Sequence, residues 1–223
     1  MPLSIAIDGP VGAGKTTIAK MLAESLGIQY LDTGATYRAI ALKALREQIS
    51  PHDADAVRHM LQSTEVSVHW EEGLQRTLLD GEDITNHIRT PDVSDAGSVI
   101  STHSFVREKM VALQRACAMQ TDMILDGRDI GTRVLPDAAF KFFVTASPEV
   151  RAKRRYDELV GRGVKCEYRQ IYDALMARDT LDMNRAVDPL KRAADAVEID
   201  TTELDLSGVL VLLLSIIREG RNG

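Results

Sequence analysis

The chain has 223 residues, 44% of them hydrophobic, and a formal net charge of -6. This length and composition predict one domain with a sizeable core, and they exclude an intrinsically disordered protein. The acidic balance argues against a general nucleic-acid binder. The most apolar stretch, residues 209–217, is shorter than the roughly 20 residues that span a bilayer, so we expect no membrane association. Asp8 interrupts the first apolar run, so we expect no signal peptide. Cys117 and Cys166 have no C-x-x-C partner, so we expect reduced thiols and a cytoplasmic location.

Short apolar runs separated by helical patterns predict an α/β fold with a doubly wound parallel sheet in three layers. Parallel strands buried on both faces are typically short and apolar. We place the strands at residues 3–7, 29–31, 123–125, 140–144 and 196–199.

Residues 64–84 break this pattern. Apolar and polar residues alternate from Val66 to Trp70, as in a strand with one covered face. Two hairpin-turn pairs follow, Glu72-Gly73 and Asp80-Gly81. The segment therefore predicts a small antiparallel sheet inserted into the α/β core.

Capping residues mark the start of two helices. Thr90 precedes Pro91, and Ser147 precedes Pro148, so each pair predicts an N-cap and a first helical position. Apolar spacings of three and four residues predict a helix through 106–117, and we expect 209–217 to form a buried helix on the sheet. The glycines that flank Arg162 are expected to end the helix that begins at Pro148.

The most specific motif lies near the start of the chain. The segment from Gly9 to Thr16 matches G-x-x-x-x-G-K-[ST] at every fixed position, between a predicted strand and an apolar helical face. Backbone N–H groups of such a loop and the helix N-terminus that follows hold nucleotide phosphates. Lys15 would reach the β- and γ-phosphates, and the Thr16 hydroxyl would ligate Mg²⁺.

Two further clusters follow predicted strands. A glycine at a helix start, Gly34, with Arg38 one turn later, offers a second anion site; the alternative is a capped helix whose arginine forms a surface ion pair. Asp126 lies where an apolar strand ends, the place of a carboxylate that orients Mg²⁺ or its waters. Arg128 and Asp129 would face the same crevice, and the alternative is an ion pair within the loop.

A basic segment covers residues 151–192, where Lys and Arg outnumber Asp and Glu in an otherwise acidic chain. Arginines that close over a transferring phosphoryl group stabilise its charge, and a lid excludes water. The alternative is a solvated helical face with charge pairs four residues apart. The basic residues of this segment that we expect near a phosphate are Arg151, Arg154, Arg155, Arg162, Lys165, Arg169, Arg178 and Arg185.

These motifs together resemble the bacterial cytidylate kinases, of the nucleoside monophosphate kinase group, over essentially the whole chain. The P-loop is shared by many folds, whereas the run from Asp126 to Thr132 and the mid-chain β insert are more specific. Other matching elements are Asp32–Ala35 with Tyr37-Arg38, Ile88–Thr90, Arg154-Arg155, Asn184–Val187 and Pro189-Leu190. The resemblance implies γ-phosphoryl transfer from ATP to CMP or dCMP with Mg²⁺. It also implies a single P-loop kinase domain over 1–223, a nucleotide-monophosphate-binding insert at 64–94, a short helical lid at 154–170, and a monomer.

The resemblance also implies site residues at matching positions. The ATP phosphates would be wrapped by Gly9, Pro10, Val11, Gly12, Ala13, Gly14, Lys15, Thr16 and Thr17. The catalytic groups would be Lys15, Arg128, Arg154, Arg155 and Arg185, and the magnesium site Thr16 and Asp126. The CMP phosphate would meet Arg38, Arg128 and Arg185, the cytosine Ser98, Arg107 and Asp129, and the ribose Arg178 and Asp182, with Thr33 and Tyr37 also at the CMP site.

Base recognition separates the candidate substrates. A carboxylate such as Asp129 accepts from the cytosine amino group, and Arg107 donates to O2 or N3. Uracil presents a carbonyl at the amino position, a buried mismatch of about 1–3 kcal/mol that favours CMP over UMP.

Two other functions compete with this hypothesis. One is a P-loop kinase for UMP, AMP, shikimate or gluconate. The other is a GTPase-type switch, but the N-K-x-D element that reads guanine in such switches is absent from this sequence. No nucleophile motif or metal-ligand histidine spacing occurs, so we predict no covalent catalysis.

Overall fold

The computed structural model describes residues 2–161 and 163–222, without the side chain of residue 222. Its elements in chain order are β1 (Ser4–Asp8), α1 (Lys15–Leu26), β2 (Gln29–Asp32), α2 (Thr33–Arg46), α3 (Ala54–Gln62), β3 (Val66–Glu71), β4 (Leu74–Leu79), β5 (Glu82–Asp83), α4 (Pro91–Ile100), α5 (Ser104–Ala118), β6 (Met123–Gly127), a π-helical turn (Ile130–Val134), β7 (Phe140–Thr145), α6 (Pro148–Gly161), α7 (Tyr168–Asn184), β8 (Val197–Asp200) and α8 (Leu206–Asn222). The five predicted strands of the main sheet are confirmed, with shifts of one or two residues at their ends.

The central sheet is parallel, in the order β2-β6-β1-β7-β8. Strands β1 and β6 are neighbours, and Asp8 at the end of β1 is in register with Gly127 at the end of β6. The loop that follows Asp8 and the loop that follows Gly127 therefore leave the sheet side by side. This arrangement brings two motifs more than 100 residues apart in sequence to one edge.

Helices cover both faces of the sheet, which confirms the three-layer architecture. Successive residues of β1 point to opposite faces: Ile7 joins a cluster with α1 and α8, whereas Ala6 joins a second cluster with Val111 of α5. Within α8, Val209 and Leu213 are buried against the sheet, as predicted. Among the residues that the structure describes, no helix has both the length and the apolarity to cross a membrane.

The predicted antiparallel insert is present as β3-β4-β5. Both predicted turns have two successive residues with positive φ, 51° and 78° at Glu72-Gly73 and 50° and 86° at Asp80-Gly81, the signature of two-residue hairpins. The small sheet is attached to the carboxyl end of β2. The Trp70 indole donates to the Tyr30 carbonyl at 2.9 Å, and Gln75 accepts from the Asp32 amide at 2.7 Å.

The capping predictions are also confirmed, because Thr90 caps α4 with Pro91 in its first turn, and α6 begins at Pro148 and ends at Gly161.

The π-helical turn after β6 was not predicted. The first two amides of the turn, those of Ile130 and Gly131, donate to the two carboxylate oxygens of Asp8 at 2.8 Å each. A contact between residues 122 positions apart leaves no trace in a local sequence pattern.

Candidate active site

One large cleft opens at the carboxyl edge of the sheet. Its walls are the loop after β1, the start of α2, the segment after β6, helices α6 and α7, and the loop after β8. Of the site residues that the resemblance implies, all line this cleft except Gly9 and Pro10. A Cβ on Gly9 would stand 1.9 Å from the Val144 carbonyl oxygen, so the loop can leave the sheet here only through glycine.

The P-loop has the conformation that its sequence predicts. Gly12 and Gly14 adopt positive φ, 77° and 87°, and α1 begins directly after them without a side-chain cap. The Lys15 ammonium folds back over the loop and donates to the Pro10 carbonyl at 2.7 Å. Burial, and then the charge of Arg128, lower the pKa of Lys15 to about 7. Because burial and Arg128 disfavour the charged form of Lys15, an anionic ligand on the loop would stabilise the ammonium.

The proposed metal ligands are in direct contact. The Thr16 hydroxyl donates to Asp126 Oδ2 at 2.8 Å, and the Tyr30 hydroxyl donates to Oδ1 at 2.8 Å. Burial and the nearby Asp32 raise the pKa of Asp126. A hydroxyl and a buried carboxylate at a phosphate-binding loop fit Mg²⁺, which prefers oxygen ligands and retains waters. Tyr30 was missed because a tyrosine in a short strand carries no chemical signal by itself.

The start of α2 differs from the prediction. Asp32 caps the helix by accepting from the Ala35 amide at 3.1 Å, so a carboxylate already occupies the expected anion site. The same side chain accepts from Arg38 at 2.7 Å and lies 3.7 Å from Arg89. Burial alone would raise the pKa of Asp32, but the two arginines outweigh it and lower the pKa. Arg38 keeps a buried Nε without a hydrogen-bond partner, so the anion-binding capacity lies on the arginine rather than on the helix end.

Two of the predicted base-reading residues, Arg107 and Asp129, belong to a largely buried arginine–aspartate ring with Arg185 and Asp188. Arg107 donates to Asp129 Oδ2, and Arg185 donates to Oδ1 at 3.1 Å. Asp188 closes the ring, because its carboxylate accepts from Arg107 Nε at 2.9 Å and its carbonyl from Arg185 Nε at 2.6 Å. Sequence reasoning missed Asp188. The Tyr37 ring lies 5.5 Å from the Arg107 guanidinium.

The remaining CMP-site residues lie around this ring. Buried Ser98 lines the cleft and donates to the Ser94 carbonyl at 3.3 Å. The Thr33 hydroxyl donates to the Asp126 carbonyl at 2.7 Å, which fixes the start of α2 against β6. Gly127 is in contact with the same hydroxyl, because a Cβ there would lie 2.7 Å from it.

Helix α7 contributes a second pair of charges. Asp182 accepts from Arg128 Nε at 2.7 Å, and Arg178 projects into the same part of the cleft with a buried, unpartnered Nε. Burial, and then the Arg128 charge, lower the pKa of Arg178 to about 10. An anion between Arg178 and Arg128 would offset the repulsion between the two guanidinium groups and the burial of the Arg178 Nε.

Not all of the basic segment faces a phosphate. Arg151 is buried and bridges the Val11 carbonyl at 3.0 Å to Asp179 at 2.6 Å, so it supports the P-loop from below. Arg169 is exposed and pairs with Asp173 at 3.0 Å, as a solvated helical face does. Lys165 is also exposed, and Arg162 lies outside the described residues. The expectation that these side chains close over a phosphate is therefore wrong for Arg151 and Arg169.

Two arginines of α6 do line the cleft. Arg154 donates to the Thr201 hydroxyl at 2.9 Å and to its carbonyl at 2.7 Å. Thr201 in turn lies against the P-loop, 3.4 Å from the Ala13 carbonyl oxygen. Arg155 pairs with Glu158 at 2.8 Å on a more exposed part of the same helix.

The chain matches the family model described as cytidylate kinase over residues 5–219. A cytidylate kinase of Caldicellulosiruptor bescii is 48% identical over 96% of this chain and 95% of that protein. A cytidylate kinase of Halalkalibacterium halodurans is 43% identical over 97% of this chain and 98% of that protein. An uncharacterized protein of Eubacterium ventriosum shares the fold, with a TM-score of 0.53, 14% identity and coverage of 98% and 99% of the two chains. The chain therefore belongs to the cytidylate kinase family and is an ATP-dependent nucleoside monophosphate kinase.

Proposed function

We propose that this enzyme transfers the γ-phosphoryl group of ATP to CMP or dCMP, with Mg²⁺, and that the cleft residues described above carry the reaction. Family membership makes CMP the acceptor and ATP the donor. The observation that carries the site assignment is the buried contact of Asp129 with Arg107 in a wall of the cleft that holds the P-loop. This contact places a strong acceptor beside a strong donor, the pattern that the edge of cytosine requires.

The donor half of the site is the P-loop. Amides of residues 12–17 and the N-terminus of α1 bind the phosphates, and Lys15 exchanges the Pro10 carbonyl for phosphate oxygens when ATP arrives. Thr16 and Asp126 would hold Mg²⁺, which neutralises charge on the β- and γ-phosphates when bound. Tyr30 orients the Asp126 carboxylate by donating to its second oxygen.

The acceptor phosphate binds among three arginines that line the cleft, Arg38 of α2, Arg128 after β6 and Arg185 after α7. Their forks hold the attacking oxygen toward the γ-phosphoryl group, and positioning of this kind supplies most of the catalysis in phosphoryl transfer. Arg154 and Arg155 also line the cleft, with Arg154 held by Thr201 beside the P-loop, and they would stabilise charge that develops during transfer.

Asp129, Arg107 and Ser98 read the base, and Asp182 with Arg178 binds the ribose. The Asp129 carboxylate accepts from the cytosine amino group, and Arg107 donates to N3 or O2. Because a uracil carbonyl would oppose the carboxylate, UMP is disfavoured. The base edge is the same in CMP and dCMP, so base recognition does not separate these two substrates.

The insert at 64–94 and the segment at 154–170 flank this site as the acceptor-binding and lid segments. Hydrogen bonds from Trp70 and Gln75 attach the insert to β2, next to Asp32 and Arg38. An insert held at this point can carry Arg89 and the start of α4 toward a bound nucleotide. The resemblance also supports a monomer in the cytoplasm, where Cys117 and Cys166 would remain reduced thiols.

A substrate panel tests the proposed function. Turnover with Mg-ATP is measured by coupled ADP release with CMP, dCMP, UMP, AMP and shikimate. We expect kcat/KM for UMP to be lower than for CMP by roughly 10- to 100-fold, and no turnover of AMP or shikimate. A matched panel on Asp129→Asn should narrow the gap between CMP and UMP, because an amide can donate to the uracil carbonyl. Equal use of CMP and UMP by the wild type would refute the base assignment.

ATP binding is expected to weaken as the pH rises above about 7, the pKa of Lys15 in the nucleotide-free enzyme. Below this pH the ammonium is already charged, and above it binding must take up a proton, because phosphate oxygens favour the charged form. The affinity should then fall toward about tenfold per pH unit. Calorimetric titrations in two buffers of different ionisation enthalpy measure the proton uptake. Lys15→Met should abolish this uptake, and the same uptake in that variant would assign it to another group.

A further inference from the structure

Asp188 has no role among the site residues assigned above, yet it touches two of them. It lies in the turn between α7 and β8, beyond the last residue of the helix. Its carboxylate accepts from Arg107 Nε at 2.9 Å and lies 3.6 Å from Arg133, and its carbonyl accepts from Arg185. One residue thus holds the inner nitrogens of both arginines that contact Asp129.

The turn holds Asp188 in an unfavourable conformation. Its φ is +49°, in the left-handed region that residues other than glycine adopt infrequently, although Asp and Asn tolerate it better than most. The Leu190 amide donates to the Asp182 carbonyl at 2.8 Å, which ties the turn to the end of α7. Backbone strain of this kind persists where surrounding contacts impose it, and it concentrates at functional sites.

The Asp188 carboxylate supplies negative charge to a ring that contains two buried arginines. Arg107 is 1% exposed and Arg185 is 8% exposed, so both cations need buried counter-charges. Without Asp188, the described ion pairs of Arg107 and Arg185 would reduce to Asp129 alone. Asp129 would then be held by two arginines at the moment when it must accept from a ligand.

We propose that Asp188 is a positioning and specificity-determining residue of the acceptor site, an inference that rests on the proposed function. It acts through Arg107 and Arg185 as their second acceptor. Arg107 is anchored at Nε by Asp188, so its outer nitrogens keep a fixed direction toward Asp129 and the base. Asp129 shares the charge of Arg107 with Asp188, so its Oδ2 can turn to the cytosine amino group while Arg107 keeps a buried counter-charge.

Two substitutions separate the carboxylate from the backbone. Asp188→Asn keeps the shape and tolerates the left-handed conformation, but it removes the charge. Asp188→Gly removes the whole side chain, fits a φ of +49° and keeps the carbonyl that binds Arg185. Asp195→Asn is the matched control, because Asp195 lies on the same connection as Asp188, is 65% exposed and pairs with Lys141 of β7.

We expect both Asp188 variants to raise KM for CMP by about 10-fold or more, the usual effect of losing a charged hydrogen bond. KM for ATP should stay within about twofold, and the ratio of CMP to UMP turnover should fall, because the base-reading pair loses its fixed direction. Asp195→Asn should match the wild type. Thermal unfolding of each variant reports whether it is folded, and the split between the two KM values is a readout that a loss of stability alone does not produce.

The outcomes separate this inference from the proposed function. A wild type that uses CMP, with unchanged CMP kinetics and base preference in both variants, overturns the role of Asp188 alone. Weakened CMP kinetics in Asp188→Asn with full activity in Asp188→Gly also overturn the role of the Asp188 carboxylate, because the backbone conformation of the turn would then explain the effect. A wild type that turns over another acceptor overturns the proposed function, and KM of the two variants for that acceptor then decides whether Asp188 positions the site.

Discussion

Replacing Lys15 with alanine or methionine is expected to lower kcat by about 100- to 1000-fold, with a smaller effect on KM for CMP. The Lys15 ammonium is the cation of the P-loop, and it is poised beside a carbonyl that it can exchange for a phosphate oxygen. Negative charge on the β–γ bridging oxygen grows during transfer. Loss of the Lys15 ammonium therefore destabilises the transition state more than the ground state. Steady-state kinetics with ATP and CMP varied separately measure the two effects.

The design of this test follows from the pKa of Lys15. A value of about 7 means that the folded protein holds the ammonium less well than water does, so below that pH its charge opposes folding. Lys15→Met keeps the aliphatic bulk and should be at least as stable as the wild type at low pH. Lys153→Ala serves as the control, since this lysine is 63% exposed and pairs with Asp157 on α6. A kcat within about tenfold of the wild type would contradict the assigned role.

Much of the fold is predictable because its elements have strong local signals. The strands of the main sheet are short apolar runs between helical patterns, and the insert carries two turn pairs whose positive φ values suit their residues. Thr90-Pro91 sets a helix start by the stereochemistry of proline and a side-chain cap. The π-helical turn escaped prediction because Asp8 imposes it from another strand, and nothing in residues 130–134 announces it.

The site residues likewise fall into those that a local motif identifies and those that depend on contacts distant in sequence. Motif residues such as Lys15 and Asp126 are identified by their place after a strand, and the structure brings them together. Tyr30, Arg151 and Asp188 act through contacts with partners far along the chain, which a single sequence does not reveal. The anion site expected at the start of α2 was wrong for a local reason. A carboxylate at the N-cap binds the free amides itself, so Asp32 excludes the anion that those amides would otherwise hold.

Three arginines of the cleft are each held by a carboxylate at the place where we propose that the acceptor phosphate binds. Arg38 is paired with Asp32, Arg128 with Asp182, and Arg185 with Asp129. The carboxylates keep the forks in fixed orientations, and each arginine retains further N–H groups for a ligand. Binding then adds bonds to preorganised donors rather than ordering mobile side chains.

Arg38→Ala is expected to raise KM for CMP by about 100-fold, with a smaller change in kcat and little change in KM for ATP. Its fork is fixed by Asp32 at 2.7 Å, and its Nε is buried without a partner. Removal costs the phosphate a charge-assisted contact, and among the described residues it leaves the more distant Arg89, whose nitrogen is 3.7 Å away, as the ion-pair partner of Asp32. The carboxylate then faces the acceptor phosphate with less compensation, so repulsion adds to the lost attraction.

Two further variants show whether charge or geometry is responsible. Arg38→Lys keeps the charge but not the planar fork, and it should recover only part of the affinity, because one ammonium cannot hold Asp32 and a phosphate in the same directions. Arg46→Ala is the matched control on the same helix, since Arg46 is exposed and pairs with Glu82 away from the cleft. If Arg38→Ala left CMP kinetics unchanged while Arg46→Ala altered them, the phosphate clamp would be misplaced. Full recovery in Arg38→Lys would instead mean that the cleft needs a positive charge at this point and that the pairing of Arg38 with Asp32 does not orient the acceptor.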